Sequence, residues 1–161
     1  MKNLLIILTA ITFFACDKSN DMETQYAYNF DVGLEFSILN LQNEDLLNPE
    51  NPNHINEANI KLFYQINGEK QEVYNAEMDN PRGFVIFKHE NKYRIEVGLN
   101  HSETSGNSIT YIQWNDNDTD TIEVAIKRTQ YSILQDKIWL NGILIWQRGD
   151  NTTDPYFVLT K

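Results

Sequence analysis

The chain has 161 residues, with 23 Asp and Glu against 13 Lys and Arg, and its formal net charge is −10. Such a composition lacks the clustered cations that bind phosphates, which excludes electrostatic nucleic-acid binding and argues against a charge-driven contact with anionic lipid. The length suits a single domain, and 12% aromatic residues argue against disorder.

An N-terminal targeting segment is the first feature along the chain. Lys2 precedes an apolar run, Leu4 to Phe14, which is shorter than the about 20 residues of a transmembrane helix. Ala15 supplies a small residue before Cys16, the only cysteine. Residues 1–16 resemble the precursor of a bacterial lipoprotein, which implies cleavage before Cys16 and acylation of its thiol. The alternatives are an ordinary secretory peptide with a chance cysteine and a buried N-terminal strand.

The lipoprotein interpretation divides the chain into three parts. We expect a signal peptide at residues 1–15, a lipidated N-terminus and tether at residues 16–26, and one domain at residues 27–161. Two or three acyl chains on Cys16, palmitate among them, anchor a protein stably, since each buried methylene contributes about 0.8 kcal/mol. Lipidation consumes the only thiol, so the domain is expected to be stable without a disulfide. We expect a place in the cell envelope, at the outer membrane, on either its periplasmic or its outer face.

Period-two alternation of apolar and polar residues dominates the rest of the chain. It predicts strands with one buried face and is clearest in residues 30–38, 92–99 and 121–127. Further strands are predicted over residues 58–66, 69–75, 83–88, 108–114, 131–139, 143–147 and 156–160. No window carries a sustained helical stripe, so we expect little helix. The pattern predicts an all-β fold, an antiparallel, immunoglobulin-like β-sandwich of about 8–9 strands.

Two polar segments are predicted as loops. Residues 43–57 are rich in Asn and Pro, and residues 100–107 form a shorter polar stretch. Long loops inside compact domains are often functional or mobile. Leu46 and Leu47 are expected to pin the longer loop to the sandwich.

One acidic segment has the beginning of a calcium-binding pattern. Asp116, Asp118 and Asp120 stand at alternate positions, and oxygen ligands from a flexible turn are what calcium prefers. The positions that would complete an EF-hand hold Thr121 and Lys127 where that loop needs Gly and Glu. The alternative is a solvated hairpin turn, in which Asp and Asn side chains bond their own backbone.

Two Asn-Gly pairs, residues 67–68 and 141–142, predict type I′ hairpin turns. A two-residue turn at the second pair predicts the cross-strand pairs Leu140–Ile143, Trp139–Leu144, Ile138–Ile145 and Lys137–Trp146. Trp139 and Trp146 would then share one face with Leu144, and the opposite face would be core. Two neighbouring indoles are suited to stacking on sugar rings or on a partner protein, and the alternative is that another segment covers them.

Signatures of catalysis are missing from the sequence. His54, His89 and His101 lie far apart, and there is no His-Glu-x-x-His pair, Cys/His cluster, Gly-x-Ser-x-Gly elbow or phosphate-binding glycine loop. We therefore expect a protein that is not an enzyme. A carbohydrate-active enzyme that uses scattered carboxylates stays an alternative.

Segments of the mature chain resemble small, uncharacterised Bacteroidetes-type lipoproteins. The stretch from Ile109-Thr-Tyr-Ile-Gln-Trp to Asp120-Thr-Ile and residues 137–146 resemble their C-terminal half, and Asp45-Leu-Leu-Asn-Pro with Ile60-Lys-Leu-Phe-Tyr resembles their N-terminal half. The resemblance implies class and location but no activity. In such bacteria O-glycans modify Asp-Ser/Thr-apolar sites, which implies Thr121 as a glycosylation site.

Two hypotheses about function follow from the sequence. The first is a membrane-anchored extracytoplasmic binding or assembly module, held to lipid through acylated Cys16, with a glycan or an envelope protein as partner. The second is a structural accessory subunit of an envelope complex, without a ligand of its own. An exposed Trp139/Trp146 surface favours the first, and a covered one without a sizeable pocket favours the second.

Overall fold

A computed structural model describes residues 27–102, 106–150 and 155–161. The expected signal peptide, Cys16 and the tether lie outside these residues. The described chain is almost entirely β, which confirms the prediction of little helix. Its one helical element is a 3-10 turn at Glu57–Asn59, where the sequence predicted the start of the strand over residues 58–66. The strands are β1 (Asn29–Asp31), β2 (Gly33–Leu39), β3 (Lys61–Ile66), β4 (Glu69–Glu72), β5 (Phe84–His89), β6 (Lys92–Gly98), β7 (Ser108–Asn115), β8 (Asp118–Thr129), β9 (Ser132–Leu140), β10 (Ile143–Gln147) and β11 (Tyr156–Thr160).

The strands form two sheets. The larger has the order β1–β9–β8–β7–β3–β4. β10 belongs to the same sheet: β1 and β10 both pair with the outer edge of β9, β1 with residues 132–134 and β10 with residues 137–140. The smaller has the order β11–β2–β6–β5. This architecture confirms the predicted all-β sandwich. Neighbouring strands are antiparallel except in β1–β9 and β11–β2, which join segments far apart in the chain.

The segment predicted as one strand over residues 30–38 is two strands. The chain leaves the larger sheet after Asp31, crosses at the buried Val32, and enters the smaller sheet at Gly33. The amide of Gly33 donates to Oε1 of the fully buried Gln135, 3.0 Å away on β9. The crossing lets one alternating segment belong to both sheets.

The core lies between the two sheets. Its largest fully buried side chains include Phe36 of β2 and Trp114 of β7, whose rings meet edge to face with centroids 6.1 Å apart. Phe157 of β11 stacks on Phe36 at 4.8 Å. Burial of a large apolar side chain contributes about 1.5–3 kcal/mol, so these contacts are the main force that holds the sheets together.

The long loop between β2 and β3 is held by side chains that bond its own backbone. Asn40, Asn48, Asn51 and Asn56 each accept a hydrogen bond from the amide two residues ahead. Asp45 accepts from the amides of Leu47 and Tyr93, which ties the loop to β6. Leu46 and Leu47 are buried, which confirms that they pin the loop to the sandwich.

Both Asn-Gly pairs form the predicted tight turns. Asn67 and Gly68 have φ angles of 53° and 83°, and Asn141 and Gly142 have 50° and 80°. Positive φ at both central residues is what a type I′ turn requires. The flanking strands pair as expected, with Ile66 opposite Glu69 and Leu140 opposite Ile143.

The predicted face with two indoles does not form. The β9–β10 ladder keeps register only as far as Leu144, where a bulge shifts it and places Trp146 opposite Ile138 instead of Lys137. An extra residue in one strand turns the next side chain to the other face. Trp146 therefore joins the core, with 5% of its surface exposed, while Trp139 stays half-buried on the outer face.

Candidate binding site

The three aspartates predicted for calcium do not converge on one point. Asp116 lies exposed in the β7–β8 turn. Lys161 donates to both carboxylate oxygens of Asp118, at 2.8 and 2.7 Å, and its Nζ lies 3.0 Å from Oδ2 of Asp120. In the described parts of the chain no group of three or more His, Cys, Asp or Glu side chains is placed to hold a metal ion. The geometry is that of a hairpin turn held by a lysine.

Asp120 is the centre of a buried polar network. Its Oδ2 accepts from the indole Nε1 of Trp114 at 2.7 Å, and its Oδ1 accepts from Nδ2 of Asn141 at 2.8 Å. Burial alone would raise the pKa of this carboxyl, but the hydrogen bonds from its partners and the charge of Lys161 outweigh burial and lower the pKa. Asp120 is therefore a structural anion, and we call the set Trp114, Asp118, Asp120, Asn141 and Lys161 the lysine clasp.

The residue implied as a glycosylation site stands next to the lysine clasp. Thr121 is half-buried on β8, and its amide donates to Oδ1 of Asn141 at 2.9 Å. The preceding Asp120 points into the core, so the two neighbours have opposite surroundings.

A groove on the outer face of the smaller sheet brings polar and aromatic side chains together. It has a volume of about 380 Å³. Strands β2, β5 and β6 form its floor, and the start of β11 forms one wall. We call it the β11 groove, and its chief lining side chains are Asp31, Glu35, Phe87, His89, Arg94, Glu96 and Tyr156.

The register of β2 and β6 sets the charge of the β11 groove. Glu35 stands directly opposite Glu96. Arg94 donates to Oε2 of Glu35 at 3.0 Å and lies over the ring of Tyr156, with Cζ 4.2 Å from its centroid. Glu96 makes no hydrogen bond or ion pair with any residue that the structure describes. Arg94 thus pairs with Glu35 alone, and the carboxylate of Glu96 is left as an unpaired hydrogen-bond acceptor in the groove.

The rim of the groove is fixed by a second arginine. Nη2 of Arg148 donates to Oδ2 of Asp31 at 2.6 Å, and its Nε donates to the carbonyl of Gln135 at 2.7 Å. Across the groove, Phe87 stands opposite Arg94 in the β5–β6 ladder. Asp31 is therefore committed to an ion pair at the edge of the larger sheet, whereas Phe87 and Glu96 are available to a ligand.

A second cavity, also of about 380 Å³, lies between the end of β3 and the loop before β5. Its wall is mostly apolar and includes Met78, Pro81 and Phe84. Tyr64 lines it, donates from Oη to the carbonyl of Gly98 at 3.0 Å, and has a pKa that burial raises. Tyr64 thus acts as a neutral donor that closes the sandwich at this end.

Sequence reasoning placed Glu35, Arg94 and Glu96 on the outer faces of strands but did not bring them together. Alternation alone marks each position as polar and solvent-facing. The sequence does show that two of these three outward-facing residues are acidic and one is basic. Which residues stand opposite one another depends on strand register, and alternation does not specify register between distant strands.

No helix of the described residues is long and apolar enough to span a membrane. Comparison of the chain with protein-family models, with curated proteins and with solved structures found no match.

Proposed function

We propose that this protein is a non-catalytic binding or assembly module of the cell envelope and that the β11 groove is its binding site. The pair Glu35–Glu96 carries the proposal. Like charges directly opposite one another in a sheet are destabilising, and among the described residues the one cation that offsets this pair is Arg94, which is bonded to Glu35. A ligand that supplies hydrogen-bond donors or positive charge relieves that repulsion.

The chemistry of the groove favours a polar ligand. Glu96 offers a carboxylate acceptor, Arg94 offers guanidinium donors, and the ring of Phe87 offers an apolar contact. Pockets that combine apolar walls with a few placed polar groups bind and orient ligands of this kind. The hydroxyls of a glycan or the basic side chains of an envelope protein meet these requirements.

Membrane attachment through Cys16 is the second part of the proposal. It rests on the N-terminal segment, in which a cation, a short apolar run and the only cysteine follow one another. Labelling growing cells with an alkynyl palmitate analogue tests it. We expect label on the wild-type protein and none on Cys16→Ser, and label that persists on Cys16→Ser contradicts the anchor.

One observation favours the alternative of a structural accessory subunit. Trp146 is buried, so the exposed pair of indoles that would have favoured a binding module is missing. The β11 groove is nevertheless a concave site of appreciable size, which a subunit without a ligand does not need. The binding module therefore remains the proposal.

A binding comparison of two single variants tests the groove. The wild-type protein is screened on a glycan array and by capture from its own membranes, beside Glu96→Gln and the control Glu69→Gln, an exposed acid on β4. We expect binding that Glu96→Gln weakens at least about tenfold, the equivalent of 1.4 kcal/mol, and that Glu69→Gln leaves unchanged. Glu96→Gln should also raise the unfolding free energy by about 0.2–1 kcal/mol, because it removes a like-charge pair. Binding that is equal in all three proteins contradicts the proposal.

A further inference from the structure

The outer edge of β11 has the properties of an interface between copies of this chain. We propose that two copies pair antiparallel through β11, about a two-fold axis at Val158, so that the two smaller sheets become one continuous sheet. The inference goes beyond the β11 groove and does not depend on its ligand.

The free backbone groups of β11 are regularly spaced. The amide of Glu35 donates to the carbonyl of Pro155, and the amide of Lys161 donates to that of Leu39. In a parallel ladder alternate residues bond the same neighbour. Tyr156, Val158 and Thr160 therefore direct their N–H and C=O groups away from β2, and no described strand pairs with that side.

The other edges of the two sheets carry features that oppose strand pairing. Three of the four exposed residues of β4 are charged, and β5 ends in Lys88 and His89. β1 has three residues and ends in Asp31, and β10 is broken by its bulge. Charges, short length and bulges are the means by which proteins block edges. β11, with the sequence Tyr-Phe-Val-Leu-Thr and an unbroken register, has none of them.

The apolar surface of the molecule concentrates on the same side. Tyr64 of β3 reaches the end of β6, which places β5 and β6 over β3 and β4. Asp31 of β1 and Tyr156 of β11 line the same groove, so β11 begins on the side of the larger sheet that β1 and β10 occupy, and Lys161 at its end contacts β8. Seven of the ten exposed large apolar side chains in the described residues are on or beside β1, β10 and β11. A joint at β11 brings this side of one copy towards the same side of its partner.

The arrangement of the outward N–H and C=O groups of β11 favours pairing with β11 of a second copy over pairing with a strand of a different protein. The three outward residues are symmetric about Val158, so an antiparallel partner places Val158 opposite itself and Tyr156 opposite Thr160. Each of the three pairs exchanges two hydrogen bonds, about six in all. A two-fold interface uses the same patch twice, and an uncharged strand avoids self-repulsion. The net charge of −10 opposes association over a longer range, so added salt should strengthen the dimer.

The dimer would place two β11 grooves on one face. Tyr156 lines the groove through its side chain while its backbone faces the joint. The grooves would thus flank the two-fold axis, and a repetitive ligand that spans both is held more tightly than by either alone.

Cysteine cross-linking tests the axis directly. Directly opposed, hydrogen-bonded residues have Cα atoms about 5.5 Å apart, within the range of about 4.4–6.8 Å that a disulfide needs. In the full lipidated chain, Val158→Cys is expected to form a disulfide-linked dimer under mild oxidation. Tyr156→Cys is the matched control on the same strand, since the axis separates its two copies by four residues, about 13 Å. The double variant Tyr156→Cys/Thr160→Cys should cross-link again.

Association state provides the second measurement. We expect the wild-type protein in detergent to sediment as a dimer and Val158→Lys as a monomer, with the same circular dichroism and melting behaviour. A wild-type monomer, or cross-linking of Tyr156→Cys as fast as that of Val158→Cys, overturns the proposal. Ligand binding by the Val158→Lys monomer is measured separately, so failure of the dimer and failure of the groove are distinguishable.

Discussion

Lys161 Nζ lies 3.0 Å from Oδ2 of Asp120, at a point where the two sheets meet. The lysine follows β11 of the smaller sheet, and the aspartate belongs to β8 of the larger one. Both side chains are largely buried, with 18% and 10% of their surface exposed. The contact is therefore a charged link between the two sheets at the edge of a largely apolar core.

Removal of the cation in the lysine clasp should destabilise the fold. Lys161→Met leaves the carboxylate of Asp120 buried without its counter-charge, and an unpaired buried group costs about 1–3 kcal/mol. Urea unfolding measures the difference. Lys61→Met is the control, because Lys61 pairs with Glu72 at an exposed site, where an ion pair contributes about 0–1 kcal/mol. Equal losses in the two variants would show that the clasp adds nothing beyond a surface ion pair.

The lysine clasp should also make stability depend on pH. The pKa of Asp120 is lower in the folded protein than in the unfolded chain. Its contribution is therefore complete above the unfolded value, near pH 4, and is lost as pH falls through the folded value. We expect the gap in unfolding free energy between the wild type and Asp120→Asn to be widest near pH 6 and to narrow below about pH 4. A gap that does not change with pH contradicts this.

The two Asn-Gly turns have the same backbone conformation but differ in the hydrogen bonds of their Asn side chains, so they can be compared. Asn141 donates to Asp120 and accepts from the amide of Thr121, whereas Asn67 makes no side-chain hydrogen bond with the described residues. Both adopt positive φ, so replacement by Ala strains both turns alike. Asn141→Ala should cost about 1–3 kcal/mol more than Asn67→Ala, as measured by thermal or urea unfolding. Similar losses would assign the effect to the turn alone.

The bulge in β10 can be tested through the side chains on either side of it. Trp146→Ala removes a buried indole and should cost about 3–5 kcal/mol. Leu144→Ala removes a half-exposed side chain and should change the unfolding free energy by about 0.5 kcal/mol or less. The reverse order of the two losses would mean that the regular register holds and that Trp146 is exposed.

Local features of the fold were predictable because they depend on neighbours in the sequence. Alternation located β2 to β11 within a few residues, since a strand with one wet face repeats every two positions. The turns at residues 67–68 and 141–142 were equally local, since positive φ selects Asn and Gly.

Long-range features were not predictable by the same means. The bulge before Trp146 brings a large indole into the core, and the apolar area buried there outweighs one irregular ladder position. The pairing of Glu35 with Glu96 depends on how β2 and β6 align, and the role of Asp120 depends on where Lys161 ends up. Each of these three features depends on contacts between residues that are far apart in the sequence. Alternation contains no information about which strands become neighbours.

The parallel pairing of β11 with β2 sets an order for assembly. Tyr156 follows Ser37 by 119 residues, yet the Tyr156 Oη donates to the Ser37 Oγ at 3.2 Å. Pairings that are this distant in sequence form slowly, because a long loop must close before any contact is gained. During synthesis the edge of β2 that faces away from β6 therefore stays unpaired until β11 has been made, and Phe36 keeps one face open until Phe157 arrives.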